Sequence, residues 1–150
     1  MYAIKNDNSG WRIITSLEEL LEDESSYDAD ITQHVGLAKA DKTRELKEAC
    51  KSAIEAGFYS SALGTPHKYD SSLPQDQTNL LGAKIAGVAM NFTCTDEEGL
   101  KWERYHTAAQ MAQVYVAGMI HLQTAKSTLY ARLAELNNAT LIEEVNGVSW

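Results

Sequence analysis

Apolar positions in this chain fall into two rhythms, one helical and one alternating. From Leu37 to Ala56, Leu46, Ala49, Cys50, Ala53 and Ile54 share one helical stripe, and Gly57 ends the run. The longest helical pattern opens at Thr107-Ala108-Ala109-Gln110, where Thr107 and Gln110 form a capping box. It continues through Tyr115, Gly118, Leu122, Ala125, Leu129 and Leu136 at steps of three and four, broken at Arg132 and stopped by Asn137-Asn138. This seam has two destinations. It can be the core stripe of a globular domain, or part of it, with Met111, Tyr115 and Met119, can meet a partner or a second copy. A third helix is predicted from Thr78 to Met90, entered through Ser72-Leu73-Pro74-Gln75 with Ser72 as the cap, and with small residues Gly82, Ala83, Ala86 and Gly87 that permit close approach of another backbone. Thr140 to Glu143 caps a last short helix.

The alternating segments predict antiparallel hairpins. Phe58 to Gly64 and Thr65 to Asp70 meet at a Gly-Thr-Pro corner. Asn91 to Thr95 and Leu100 to Tyr105 flank an Asp96-Glu97-Glu98-Gly99 turn; Leu100, Trp102 and Arg104 share one side, and Trp102 is expected in the core. Near the N-terminus, Tyr2-Ala3-Ile4 and Trp11 to Ile14 flank a dense set of turn formers. A short acidic helix from Ser16 should hold Leu17, Leu20 and Leu21 against that hairpin, and residues 23–30 read as a polar linker. The fold class expected is α+β, with a small N-terminal unit over residues 1–30 and an α+β domain over residues 31–150.

Composition narrows the function classes. A chain of 150 residues with 44% apolar content can bury the core of one ordinary domain. Thirteen basic against 21 acidic residues leave a net charge of -8, and the densest basic run, Lys39 to Lys51, interleaves both signs. Nucleic acid and anionic membranes are therefore not expected partners. No apolar run approaches 18 residues and no signal segment opens the chain, which predicts a soluble product of the cytoplasm. Cys50 and Cys94 lack CxxC spacing and read as two buried free thiols, with a single bridge between them left open.

Candidate chemistry concentrates between Gly57 and Ala83. His67, Tyr69, Asp70 and Asp76 could form an acid/base cluster, joined by His106 if the two central hairpins lie side by side. The competing reading has them bonding the hairpin and capping the following helix, since no nucleophile motif completes a reactive geometry. A sugar hydrolase would need a carboxylate pair, for which Asp70 and Asp76 are the central candidates. The histidines at 34, 67, 106 and 121 have no metal spacing, so no metal or other cofactor is expected. Asp70, Asp76, Gln77, Asn79, Thr107 and Gln110 are read as a structural latch.

With Gly57-Phe58, Ser61 to Gly64, His67 to Asp70, Asp76-Gln77, Asn79-Leu80, Phe92 to Asp96, His106 to Gln110 and Ala139 to Trp150 in view, the chain resembles a domain family recurrent in tailed phages and prophages, often encoded near tail fibres. The likeness runs from about Leu37 to Trp150, and the Tyr-Ala-Ile … Gly-Trp-Arg opening is similar to small β units that begin tail-fibre accessory proteins. It supplies no catalytic mechanism. It implies a non-enzymatic tail protein, most concretely a tail-fibre assembly chaperone in the host cytoplasm, with a structural virion component as the alternative. The partner implied is a tail fibre or other tail protein, with self-association open. The contacts expected for such a role are Tyr2, Ile4, Trp11 and Ile13 of the N-terminal unit and exposed positions of the central hairpin, His67 and Tyr69.

Overall fold

The computed structural model describes residues 2–5, 10–13, 17–19, 21–22, 24–27 and 31–150. The fold is α+β. Strands β1 (Tyr2–Lys5), β2 (Trp11–Ile13) and β3 (Glu24–Tyr27) form a three-stranded antiparallel sheet in the order β2-β1-β3. The third strand corrects the linker expected there. Ser25 and Ser26 give it no apolar alternation, yet it pairs along the open edge of β1 from Tyr2↔Tyr27 to Lys5↔Glu24. The expected acidic helix is a single 3-10 turn at Leu17–Glu19, whose Glu19 carbonyl accepts a hydrogen bond from the Arg12 guanidinium. Leu21, expected to be held against the hairpin, is 57% exposed. Ser16 and Leu20 fall outside the described residues.

Helix α1 (Ile31–Glu55) starts six residues earlier than its apolar stripe suggests and ends at Gly57, which takes φ +82°. A side chain could not follow this turn: a Cβ there would sit 2.6 Å from the Tyr69 carbonyl oxygen. Strands β4 (Phe58–Ser60) and β5 (His67–Tyr69) form the expected hairpin, with Phe58 opposite Tyr69. Helix α2 (Pro74–Ala86) follows, then β6 (Met90–Thr95) and β7 (Lys101–His106), paired along their whole length. The four strands join in the order β4-β5-β6-β7. The two hairpins therefore do lie side by side.

Helix α3 (Ala108–Asn138) is the spine, 31 residues or about 46 Å at 1.5 Å per residue. Its N-terminal half carries Met111 and Val114 into a core with Phe58, Tyr69, Leu80, Ala83 and Cys94. Its C-terminal half places Leu136 in a second core with Val35 and Leu46 of α1, and with Val145 of α4 (Ile142–Gly147). Between them, His121 Nε2 donates to the Ala53 carbonyl at 3.0 Å, and the Cys50 thiol lies 3.7 Å from the Ala125 carbonyl. Gly118 is a point of close approach inside α3, since a Cβ there would meet the Phe58 ring at 2.9 Å and Leu80 at 3.3 Å. The seam thus closes inside the molecule. Close approach was expected at Gly82, but a Cβ there meets open space.

Candidate functional site

The four-stranded sheet brings Tyr69 of β5 onto His106 at the end of β7. The phenolic oxygen lies 2.8 Å from His106 Nε2, and His106 Nδ1 lies 2.8 Å from the Arg104 carbonyl. A carbonyl can only accept, so Nδ1 carries the proton and Nε2 accepts from the Tyr69 hydroxyl. Tyr69 is 1% and His106 0% exposed. Burial lowers the His106 pKa below the ordinary 6.5. Burial, and then the neighbouring Cys94, raise that of Tyr69. The Cys94 thiol is buried as well, and that burial pushes its pKa up. A working base sits near neutral pKa within reach of substrate, and a reactive thiol has a lowered pKa. All three groups are held neutral and covered instead. Phe58 stacks on Tyr69 at 5.6 Å and Phe92 meets His106 edge-on at 6.4 Å, so the cluster locks β5, β6 and β7 together.

Of the remaining polar candidates, Asp70, Asp76 and Gln77 come together around the start of α2, where they line one small cavity with His121, and the others lie apart. His67 Nδ1 bonds the Thr65 carbonyl at 2.9 Å, within its own hairpin. Asp70 pairs with Lys101 at 2.5 Å, which raises the Lys101 pKa through that hydrogen bond. Asp76 accepts from the Leu73 amide at 3.0 Å and caps α2 from inside its first turn; the cap position is Leu73, not Ser72. Gln77 donates to the Ser71 carbonyl at 3.4 Å, while Asn79 is exposed and joins none of these bonds. Thr107 and Gln110 form the capping box of α3, the Thr107 amide donating to Gln110 Oε1 at 2.8 Å. At the β6–β7 turn, Arg104 pairs with Asp96 at 2.5 Å. Desolvation works to raise the Asp96 pKa, but the Leu100 amide and Arg104 outweigh it and hold the carboxyl below its usual range.

Among the described residues, no three His, Cys, Asp or Glu side chains are grouped to hold a metal ion. A cavity of about 70 Å³ beside Phe58, Ser71, Gly118 and His121 has room for a few waters but not for a substrate. The two cysteines are free and buried.

Of the contact residues expected from the sequence, His67 and Tyr69 need correction. His67 and Tyr69 are buried because alternate residues of β5 face α3; Tyr59 and Lys68 occupy the other face of that hairpin. Strands carry Tyr2, Ile4, Trp11 and Ile13, whose side chains lie outside the described residues. Trp102 is on the core side of β7, opposite Cys94, but 55% exposed. It sits on the edge strand beyond the reach of α3 and stacks with Arg104, whose guanidinium carbon is 4.8 Å from the ring centre.

What the sequence reasoning missed is a second stripe on α3. Val116 and Ile120 point away from the seam and are exposed, Ile120 by 61%, and Met119 is partly exposed beside them while also lining the cavity at Phe58 and Gly118. With Tyr115 and Gln123 they line a shallow depression of about 610 Å³. On α2, Leu81 and Ile85 are exposed in the same way. The signal lay in the apolar residues at 116, 119 and 120, one step out of phase with the seam. Of the three contact residues expected from the seam, only Met119 is on the outside; Met111 is fully buried and Tyr115 half-covered, with Lys84 Nζ 5.4 Å from its ring centre.

No described helix is long and apolar enough to cross a membrane. No curated protein and no solved structure matches the chain. A family match covers residues 37–148, which spans α3, α4, all four strands of the larger sheet, α2 and most of α1. By that match the chain belongs to the DUF4376 family, a domain of unknown function.

Proposed function

We propose that the protein is a non-enzymatic tail protein of a tailed phage or prophage, acting as a tail-fibre assembly chaperone. The observation that carries a binding role is the exposed α3 stripe of Val116, Met119 and Ile120, which the fold leaves outside both cores. Adaptable methionine beside branched aliphatic side chains is the composition of a surface that covers apolar segments of a partner. The covered and neutral state of Tyr69, His106 and Cys94 supports the same reading, as does the engagement of Asp70 and Asp76 in structural bonds. The tail-fibre assignment itself rests on the sequence resemblance. In this mechanism the α3 stripe shields apolar fibre surface in the host cytoplasm until trimerisation buries it, and the net charge of -8 keeps the transient complex soluble.

The test is co-expression with the neighbouring fibre gene, scoring soluble fibre trimer with and without this protein. Trimer that depends on its presence supports the chaperone; equal trimer without it contradicts the proposal. Mass spectrometry of purified particles separates the alternative, because stoichiometric copies would make it a virion component.

A further inference from the structure

Strand β6 has an edge that the fold does not use. It pairs with β7 over all six residues, from Met90↔His106 to Thr95↔Lys101, but meets β5 at one position, Lys68↔Thr95. Over Met90 to Thr93, alternate backbone N–H and C=O groups therefore face away from β7 with no strand beside them among the described residues. Helix α2 runs past this edge and leaves a groove of about 840 Å³, walled by Ala83 and Phe92 and open beside Gly82. We infer that this groove binds an extended peptide, added as a strand to β6 at residues 90–93.

The chemistry fits that occupant. Free backbone groups in a row recognise another extended backbone, and the side groove accepts alternate side chains. Four residues of strand span about 13 Å, so a short segment suffices. Gly82 is a helix-interior glycine with nothing within 4 Å of its Cβ position, so the fold gains nothing from the missing side chain, while the groove stays open. Charge selects the peptide. Among the described residues, Asp70, Asp76 and Glu103 line the groove against one cation, Lys101, which Asp70 already holds. A segment with lysine or arginine at alternate positions complements the surplus carboxylates, whereas a second copy of this acidic chain does not. The inference does not depend on the partner being a tail fibre, and the site is separate from the α3 stripe.

The experiment titrates the ¹⁵N-labelled full chain with a capped peptide of alternating valine and lysine, seven residues long. Saturable amide shifts are expected at Asn91 to Thr93. Affinity should fall about tenfold or more when the peptide backbone is N-methylated at alternate residues, or when glutamate replaces its lysines. Gly82→Trp, which fills the groove from a position in open space, should weaken binding about tenfold. Glu103→Lys, on an exposed side chain, should do so as well and favour the glutamate peptide. The inference is overturned by an absence of saturable shifts on β6, by binding that both variants leave unchanged, or by shifts centred on α3. Shifts of the same amides that grow with protein concentration alone would assign the edge to a second copy and overturn it too.

Discussion

Gly118 and Gly82 both sit inside helices, and the structure makes opposite demands on them. Alanine gains about 0.5–1 kcal/mol over glycine in a helix interior. At Gly82 that gain is unopposed, so Gly82→Ala should raise stability to urea by up to about 1 kcal/mol. At Gly118 the new methyl would press on the Phe58 ring at 2.9 Å, and overpacking of about 1–3 kcal/mol should leave Gly118→Ala less stable. Gly57→Ala should cost at least about 2 kcal/mol, because it combines φ +82° with a backbone clash at Tyr69. His106 sets a pH dependence. Burial lowers its folded pKa below 6.5, so the unfolded chain takes up the proton first and stability falls as pH drops below that value. Urea titrations at pH 7, 6 and 5 should show this loss, at most about 1.4 kcal/mol per pH unit from one proton, and His106→Gln should remove it. Asp96 titrates in a different window. Its lowered pKa stabilises the fold above the usual carboxylate range, and that contribution disappears only as the pH falls through the lower folded value.

At the scale of elements, the capping chemistry decides where helices begin. Thr107→Ala removes the acceptor for the Gln110 amide and should destabilise the protein by about 1 kcal/mol, measured by thermal or urea unfolding. This box was legible in the sequence, as were the Gly57 stop, the two central hairpins and the buried face of the long helix. They were legible because each is written in local spacing. Strand β3 was not, because Glu24, Ser25, Ser26 and Tyr27 carry no alternation and their pairing depends on an edge supplied by β1. Trp102 shows the other limit. Alternation placed it on the correct face, but only the sheet order reveals that β7 is an edge strand. The meeting of Tyr69 and His106 was legible as a condition, that the hairpins lie side by side, and the sheet meets it. His67 and Tyr69 were expected on the exposed side of the hairpin, but the alternate residues of this short strand point inward, which the sequence alone does not fix.

Residues 31–150 are organised along α3, which serves two cores with one face and offers solvent an apolar stripe with another. That division is what a carrier surface needs: a rigid helix fixed from behind, with Val116, Met119 and Ile120 free in front. Because the stripe contributes to neither core, charged substitutions on it should change stability by no more than about 0.5 kcal/mol. On the proposed tail-fibre reading, the most direct measurement is therefore co-expression of a candidate tail fibre with the double variant Val116→Glu/Ile120→Glu, alongside a thermal melt of the variant alone. An unchanged melt with loss of the soluble fibre trimer is the predicted result. An unchanged melt with full recovery of soluble trimer would contradict the assignment of the α3 stripe as the surface through which this protein acts.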